Sequence, residues 1–228
     1  MKGKTSSPLQ FDIFEIKIII LGDASVGKSQ LLNRYCNSEF ISSQNPTIGF
    51  DCFTKEIELN KYLPDKKPDK EEDDFVTIKF WDTAGQERFR SITSGLFKNT
   101  SAYILVYDIG NEDSFLNIRQ WLKIIKENDG EDNTHPILLL GNKTDLEEER
   151  VITRQEGEVM AKLNDFLFEE VSAKTNRDKC VDLAFEKIID LVLKQSIEKW
   201  KFNEPEELIK ISKSISIINQ DKKKGICC

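Results

Sequence analysis

Two glycines, a lysine and a serine are spaced Gly22-x-x-x-x-Gly27-Lys28-Ser29 in the stretch GDASVGKS. Each residue type has a chemical reason to stand there. Phosphate oxygens are held well by backbone N–H groups that converge from a tight curl, and glycine permits that curl. The amides of Asp23, Ala24, Ser25 and Val26 form the cradle, and the helix that opens at Lys28 turns its positive end toward the anion. The Lys28 ammonium can reach the terminal phosphates, and the Ser29 hydroxyl offers a hard oxygen to Mg²⁺. Gln30 follows in the first turn of the helix and belongs with the loop. The competing reading is a glycine turn with an incidental lysine. The flanks favour phosphate: the strand-like FEIKIIIL before and the helix-like QLLNRYC after are what this chemistry requires.

A phosphate loop does not name a base. GNKTDL (141–146) follows the apolar run ILLLG, where open α/β sheets bind ligands. The Asp145 carboxylate can accept hydrogen bonds from both N1–H and the amino group of guanine, whereas adenine presents an acceptor at N1. Asn142 can bond the base edge or tie loops together, and the stem of Lys143 can cover a ring face. Ser172, Ala173 and Lys174 follow the next strand, where the Ala173 N–H can meet guanine O6. In WDTAGQERF (81–89), Asp82 ends a strand and can hold Mg²⁺ through water, and the Gly85 N–H can bond a γ-phosphate. Gln86 is neutral, both donates and accepts, and suits orienting an attacking water. Singly, each phrase reads equally as a polar turn or a cap; their order after successive strands sets them apart.

These residues must be positioned by elements. Apolar runs over 14–21, 75–81, 103–108, 137–141 and 167–171 predict strands, most of them buried on both faces. Helical patterns alternate with them. One starts at Lys28 and buries Leu31, Leu32, Tyr35 and Cys36. Another follows Asp113, with Ile118, Trp121, Leu122 and Ile125 on one face, where Trp121 reads as packing. A third starts at Thr153, in capping-box spacing with Glu156, followed by Val159, Met160 and Leu163. The last runs from about Cys180 to Trp200, with a stripe of Val181, Ala184, Phe185, Ile188, Ile189, Val192 and Leu193. CFTKEIEL (52–59) breaks the alternation and predicts an antiparallel hairpin with FVTIKFW. The expected fold is α/β: a mostly parallel six-stranded sheet with one antiparallel strand and helices on both faces. The expected organisation is an N-terminal extension over 1–13, one domain over 14–202 and a flexible tail over 203–228. The proline-containing, highly charged stretch 60–74 reads as an extended, solvated hairpin loop.

Composition narrows the function. A net charge of −7 argues against a nucleic-acid partner. There is no long apolar run to cross a membrane, and the N-terminus does not read as a secretory signal. Of the five cysteines, Cys36, Cys52, Cys180, Cys227 and Cys228, none has metal-ligand spacing, and they are expected as thiols in a cytosol. The single histidine, His135, reads as a loop residue.

With its phrases taken in order, the chain resembles a Ras-superfamily small GTPase, and within that group most resembles the Rab family, over roughly residues 14–200. WDTAGQERF is the most specific phrase. NPTIG (45–49) places Thr47 where the family senses Mg²⁺ and γ-phosphate, and Phe40 matches the aromatic that packs on guanine. The resemblance implies the P-loop small-GTPase fold, GTP as substrate and GDP as product. It implies Mg²⁺ held by Ser29, Thr47 and Asp82, and Gln86 as the catalytic residue of a slow hydrolysis stimulated by an activating protein. It further implies an exchange factor, a GDP-dissociation inhibitor, effectors, and an escort protein with a prenyltransferase acting on Cys227 and Cys228. The protein would then divide between cytosol and the cytoplasmic face of intracellular membranes and regulate vesicle traffic. Two lipid chains give the stable anchoring that one does not, and Lys222, Lys223 and Lys224 add about 1 kcal/mol each at an anionic surface.

The chain also departs from the family. Cys52, Leu96 and Phe97 replace aromatics that, with a tryptophan matching Trp81, form an effector-recognition patch, so no particular effector carries over. Ala24 stands near the γ-phosphate, where a side chain crowds the attacking water, which implies slow intrinsic hydrolysis. Two rivals follow from the same residues: a GTP-binding module with little or no turnover, and an ATP-using phosphotransferase, against which Asp145 speaks.

Overall fold

The computed structural model describes residues 16–41, 47, 49–59, 62, 75–83, 94–129 and 135–203, with side chains described as far as 198. The chain divides into two units, Met1–Val192 and Leu193–Cys228. Of the second, only the end of the last helix is described. The expected N-terminal extension, all of 60–74 except Tyr62, and the expected tail over 203–228, apart from Asn203 at the end of the last helix, lie outside the described residues.

Six strands form one sheet: β1 (Ile16–Gly22), β2 (Phe50–Glu58), β3 (Phe75–Thr83), β4 (Ala102–Asp108), β5 (Ile137–Asn142) and β6 (Leu167–Glu170). Their order is β2-β3-β1-β4-β5-β6. Every neighbouring pair is parallel except β2 with β3. This is the α/β sheet that the strand patterns predict. β1 and β4 sit in the interior because both their faces are apolar, and β4 is buried over all but its last residue. β2 lies at the edge, where Lys55, Glu56 and Glu58 discourage pairing with another chain. The hairpin pairs Phe50 with Thr83 at one end and Glu58 with Phe75 at the other, so β2 begins two residues before the expected 52.

Helices cover both faces. On one, α1 (Lys28–Asn37) and α6 (Cys180–Asn203) meet the sheet: Tyr35 stacks on Phe185 at 4.5 Å and meets Phe80 edge-on at 5.6 Å. The α6 stripe from Val181 to Val192 is buried as its spacing predicts. On the other face Ile19, Leu21, Tyr103, Leu105 and Tyr107 pack with Phe115, Ile118, Trp121, Ile125 and Ala161, which α3 (Glu112–Leu116), α4 (Ile118–Asp129) and α5 (Arg154–Asn164) supply. A short helix, α2 (Ser94–Phe97), which the sequence does not signal, buries Leu96 and Phe97 in the same core. No helix among the described residues is long and apolar enough to cross a membrane.

Three local expectations need correction. The helix expected after Asp113 starts at Glu112, capped by Asn111, and is broken at Asn117 into α3 and α4. In α5 the Thr153–Glu156 capping box forms, but Val159 and Leu163 are exposed, and the buried positions are Gly157 and Ala161. The reason is close approach: a Cβ at Gly157 would lie 2.5 Å from the Phe168 ring. Cys36 is only half-buried, though burial still pushes its thiol up to about 11. Within the 60–74 stretch, the Tyr62 hydroxyl donates to the Asp190 carboxylate of α6.

Candidate nucleotide-binding site

The strand order reverses around β1, which lies between β3 and β4, so the turn leaving its carboxyl end opens at the sheet's switch point. That turn is Asp23–Gly27. Gly27 stands at the N-cap of α1 with φ 99°, and no side chain caps the first turn, which leaves its N–H groups for an external acceptor. A Cβ on Gly27 would meet Asn142 Nδ2 at 2.3 Å, so the residue must be glycine for two loops to touch. Ala24 and Ser25 are exposed at the crest, while Val26 is buried. Lys28 is buried, and its Nζ donates to the carbonyls of Gly22 at 2.9 Å and Asp23 at 2.7 Å. Burial pulls its ammonium down to about 8, against the attraction of Asp82 and Asp23. A cation is thus held where the loop curls.

Gln30 bonds backbone on a neighbouring segment. Its Nε2 donates to the Ile41 carbonyl at 2.7 Å, and its Oε1 accepts from the Ile41 N–H at 3.0 Å. This pins the chain next to Phe40, which keeps about a third of its surface exposed.

The residues for Mg²⁺ come from three segments. Ser29 is on α1, Thr47 precedes β2 and Asp82 is near the end of β3. Their oxygens converge: the two hydroxyls are 2.9 Å apart, Thr47 donates to Asp82 Oδ2 at 3.3 Å, and Ser29 donates to the same oxygen. Asp82 is fully buried, which raises its pKa against the hydrogen bonds from Ser29 and Thr47 and the attraction of Lys28. Its Oδ1 has no hydrogen-bond partner among the described residues. A buried carboxylate oxygen without a donor beside two hydroxyls fits a hard divalent cation that keeps part of its water shell.

Three loops meet at the end that would read the base. Asn142 is buried and bridges two of them: Nδ2 donates to the Val26 carbonyl at 2.8 Å, and Oδ1 accepts from the Ala173 N–H at 3.2 Å. Asn142 therefore ties loops, and the Ala173 N–H expected to meet guanine O6 is bonded to it here. Asp145 Oδ1 accepts from Ser172 Oγ at 2.6 Å, and Lys174 Nζ lies 3.7 Å from Oδ2. Lys143 is in the left-handed region, φ 70°, with Nζ 2.6 Å from Asp108, an ion pair that fixes the stem's direction. Gly85, Gln86, Cys227 and Cys228 lie outside the described residues.

Two supports of this site carry no signal in the sequence. Arg34 on α1 donates to the carbonyls of Ala173 at 2.9 Å, Lys174 at 3.1 Å and Ser38 at 3.0 Å, so the first helix braces the base-side loop. Asp23 is gripped by the broken helix: Asn117 Nδ2 donates to Oδ2 at 2.7 Å, and Trp121 Nε1 donates to Oδ1 at 2.9 Å. Trp121 does more than the packing its spacing suggests. Apolar periodicity carries no information about where an indole N–H points.

Known proteins resemble the chain over most of its length. A model described as the Ras family matches residues 17–194. Ras-related protein Rab-3A of Homo sapiens is 37% identical over 202 residues, covering 89% of this chain and 84% of that protein. Ras-related protein Rab-27A of Sus scrofa is 34% identical over 218 residues, covering 93% and 95%. Ras-related protein Rab-11C of Dictyostelium discoideum is 38% identical over 173 residues, covering 76% and 70%.

Proposed function

This chain belongs to the Ras family of small GTPases and is similar to Rab proteins, and we propose that it is a GTP/GDP switch acting in vesicle traffic. The observation that carries the reading is the meeting of Ser29, Thr47 and the buried Asp82, whose Oδ1 lacks a donor. Mg²⁺ bound there would offset charge on the β- and γ-phosphates.

The remaining roles fall to the chain's own residues. Lys28 places a cation against the terminal phosphates. The first-turn N–H groups of α1 hold phosphate oxygens. Asp145, held by Ser172, presents its carboxylate to the edge of guanine, and Phe40 packs on the ring. Gln86 orients the attacking water. Thr47 and Gly85 report the γ-phosphate, and its loss releases the segments that carry them. Hydrolysis is slow in the chain alone and is raised by an activating protein. An exchange factor reloads the site, and a GDP-dissociation inhibitor extracts the GDP form from membranes. Prenylation of Cys227 and Cys228, presented by an escort protein, supplies the anchor.

A second reading, a GTP-binding module with little or no turnover, is favoured by Ala24 at the crest of the phosphate loop. Single-turnover phosphate release separates the two. The purified chain is loaded with GTP, and release is followed in Mg²⁺ for the wild type and Gln86→Leu. Release by the wild type and a lower rate in Gln86→Leu, at similar GTP affinity, are expected. No release from the wild type, alone and with activating proteins, favours the binding module.

A further inference from the structure

A carboxylate is an odd neighbour for phosphates, yet Asp23 is the first residue after β1, inside the loop that would cradle them. Both of its oxygens are engaged by donors from the break between α3 and α4. Asn117 Nδ2 donates to Oδ2 at 2.7 Å, and Trp121 Nε1 donates to Oδ1 at 2.9 Å. The Asn117 amide is itself oriented, because its Oδ1 accepts from Gln120 Nε2 at 3.0 Å and so leaves Nδ2 toward Asp23. Trp121 is nearly buried, and its ring belongs to the core between α4 and the sheet, so the indole N–H is held in one direction. The backbone carbonyl of the same Asp23 accepts from Lys28 Nζ at 2.7 Å. A continuous set of bonds thus runs from Gln120 and Asn117, and from Trp121, through Asp23 to the lysine of the phosphate loop.

We propose that Asn117 and Trp121 are positioning residues for the phosphate loop, acting through the carboxylate of Asp23. This rests on the reading of the loop as a guanine-nucleotide site. The two donors are spaced for it: Asn117, at the junction of α3 and α4, and Trp121, on α4, stand one helical turn apart and so share a face. Hydrogen bonds to an ionised acceptor are stronger than neutral ones, so two of them on one side chain fix the loop's entry where a solvated aspartate would let it swing. The loop held in its binding shape releases nucleotide slowly.

The test is the rate of release of a fluorescent GDP from the full chain in Mg²⁺. Trp121→Phe keeps most of the ring and removes the donor, Asn117→Ala removes the amide, and Asp23→Ala removes the shared acceptor. Each single variant is expected to release GDP roughly three- to tenfold faster, because only part of the worth of a hydrogen bond to a charged group, which in full is over tenfold, reaches the nucleotide. Trp121→Phe added to Asp23→Ala is expected to give no further increase, since the two act through one bond. A merely structural tryptophan would instead lower unfolding resistance and add to Asp23→Ala. Wild-type release rates in Trp121→Phe and Asn117→Ala, or additive effects in the double variant, would overturn the positioning role alone. A wild type that holds no guanine nucleotide would overturn the site reading, and this proposal with it.

Discussion

Asn142 shows how much one side chain can hold. Its amide spans the phosphate-side carbonyl of Val26 and the base-side N–H of Ala173, and it fits only because residue 27 is glycine. Asn142→Ala leaves both buried partners unbonded, at a cost of about 1–3 kcal/mol for each group that water cannot reach. A lower urea midpoint with an unchanged slope is the expected result in equilibrium unfolding. Unchanged stability would mean that water replaces the amide. Lys28 and Ser29 are readable in the sequence because the glycine spacing names their chemistry. The Asp23 grip is not readable, because its donors stand 94 and 98 residues further along the chain. Only the placing of α4 beside β1 brings them to one carboxylate. Asn142 falls between these cases: tying loops is one of two roles its type and place allow, and geometry selects it.

At the level of elements, local signals and packing disagree in instructive ways. The α5 cap is legible because Thr153 and Glu156 satisfy each other's backbone groups without help from the rest of the fold. Thr153→Ala removes that exchange and is expected to cost about 1 kcal/mol. Scanning calorimetry should then show a melting temperature lower by roughly 2–4 °C for a chain of this size. A shift well below a degree would show that water caps the helix equally well. The buried face of α5 is not legible, because small Gly157, set against Phe168, and Ala161 turn inward while the larger Val159 and Leu163 face outward. The break at Asn117 carries no breaker residue, so periodicity runs through it. The strands are legible since β1 and β4 are buried on both faces and leave apolar runs that no amphipathic helix would need.

For the whole molecule, the question is where it sits in the cell. The proposed anchor is the cysteine pair Cys227 and Cys228, behind Lys222, Lys223 and Lys224. Serine at both cysteines is expected to leave nucleotide binding intact and move the protein from the membrane pellet to the supernatant of fractionated cells. A double-serine variant that pellets like the wild type would remove the lipid anchor from the account while leaving the nucleotide site standing. The β2–β3 hairpin has a different kind of consequence. Its nine paired positions run from Phe50 opposite Thr83, beside Asp82, to Glu58 opposite Phe75. At about 3.4 Å per residue that separates the two ends by roughly 27 Å. The 60–74 connection joins the hairpin at the remote end, where Tyr62 is bonded to Asp190. A reporter domain spliced between Glu58 and Phe75 would leave the hairpin at the end remote from Asp82 and would not touch the proposed cysteine anchor. The hairpin thus offers an internal port for watching the protein in living cells, one that leaves the proposed lipid anchor free.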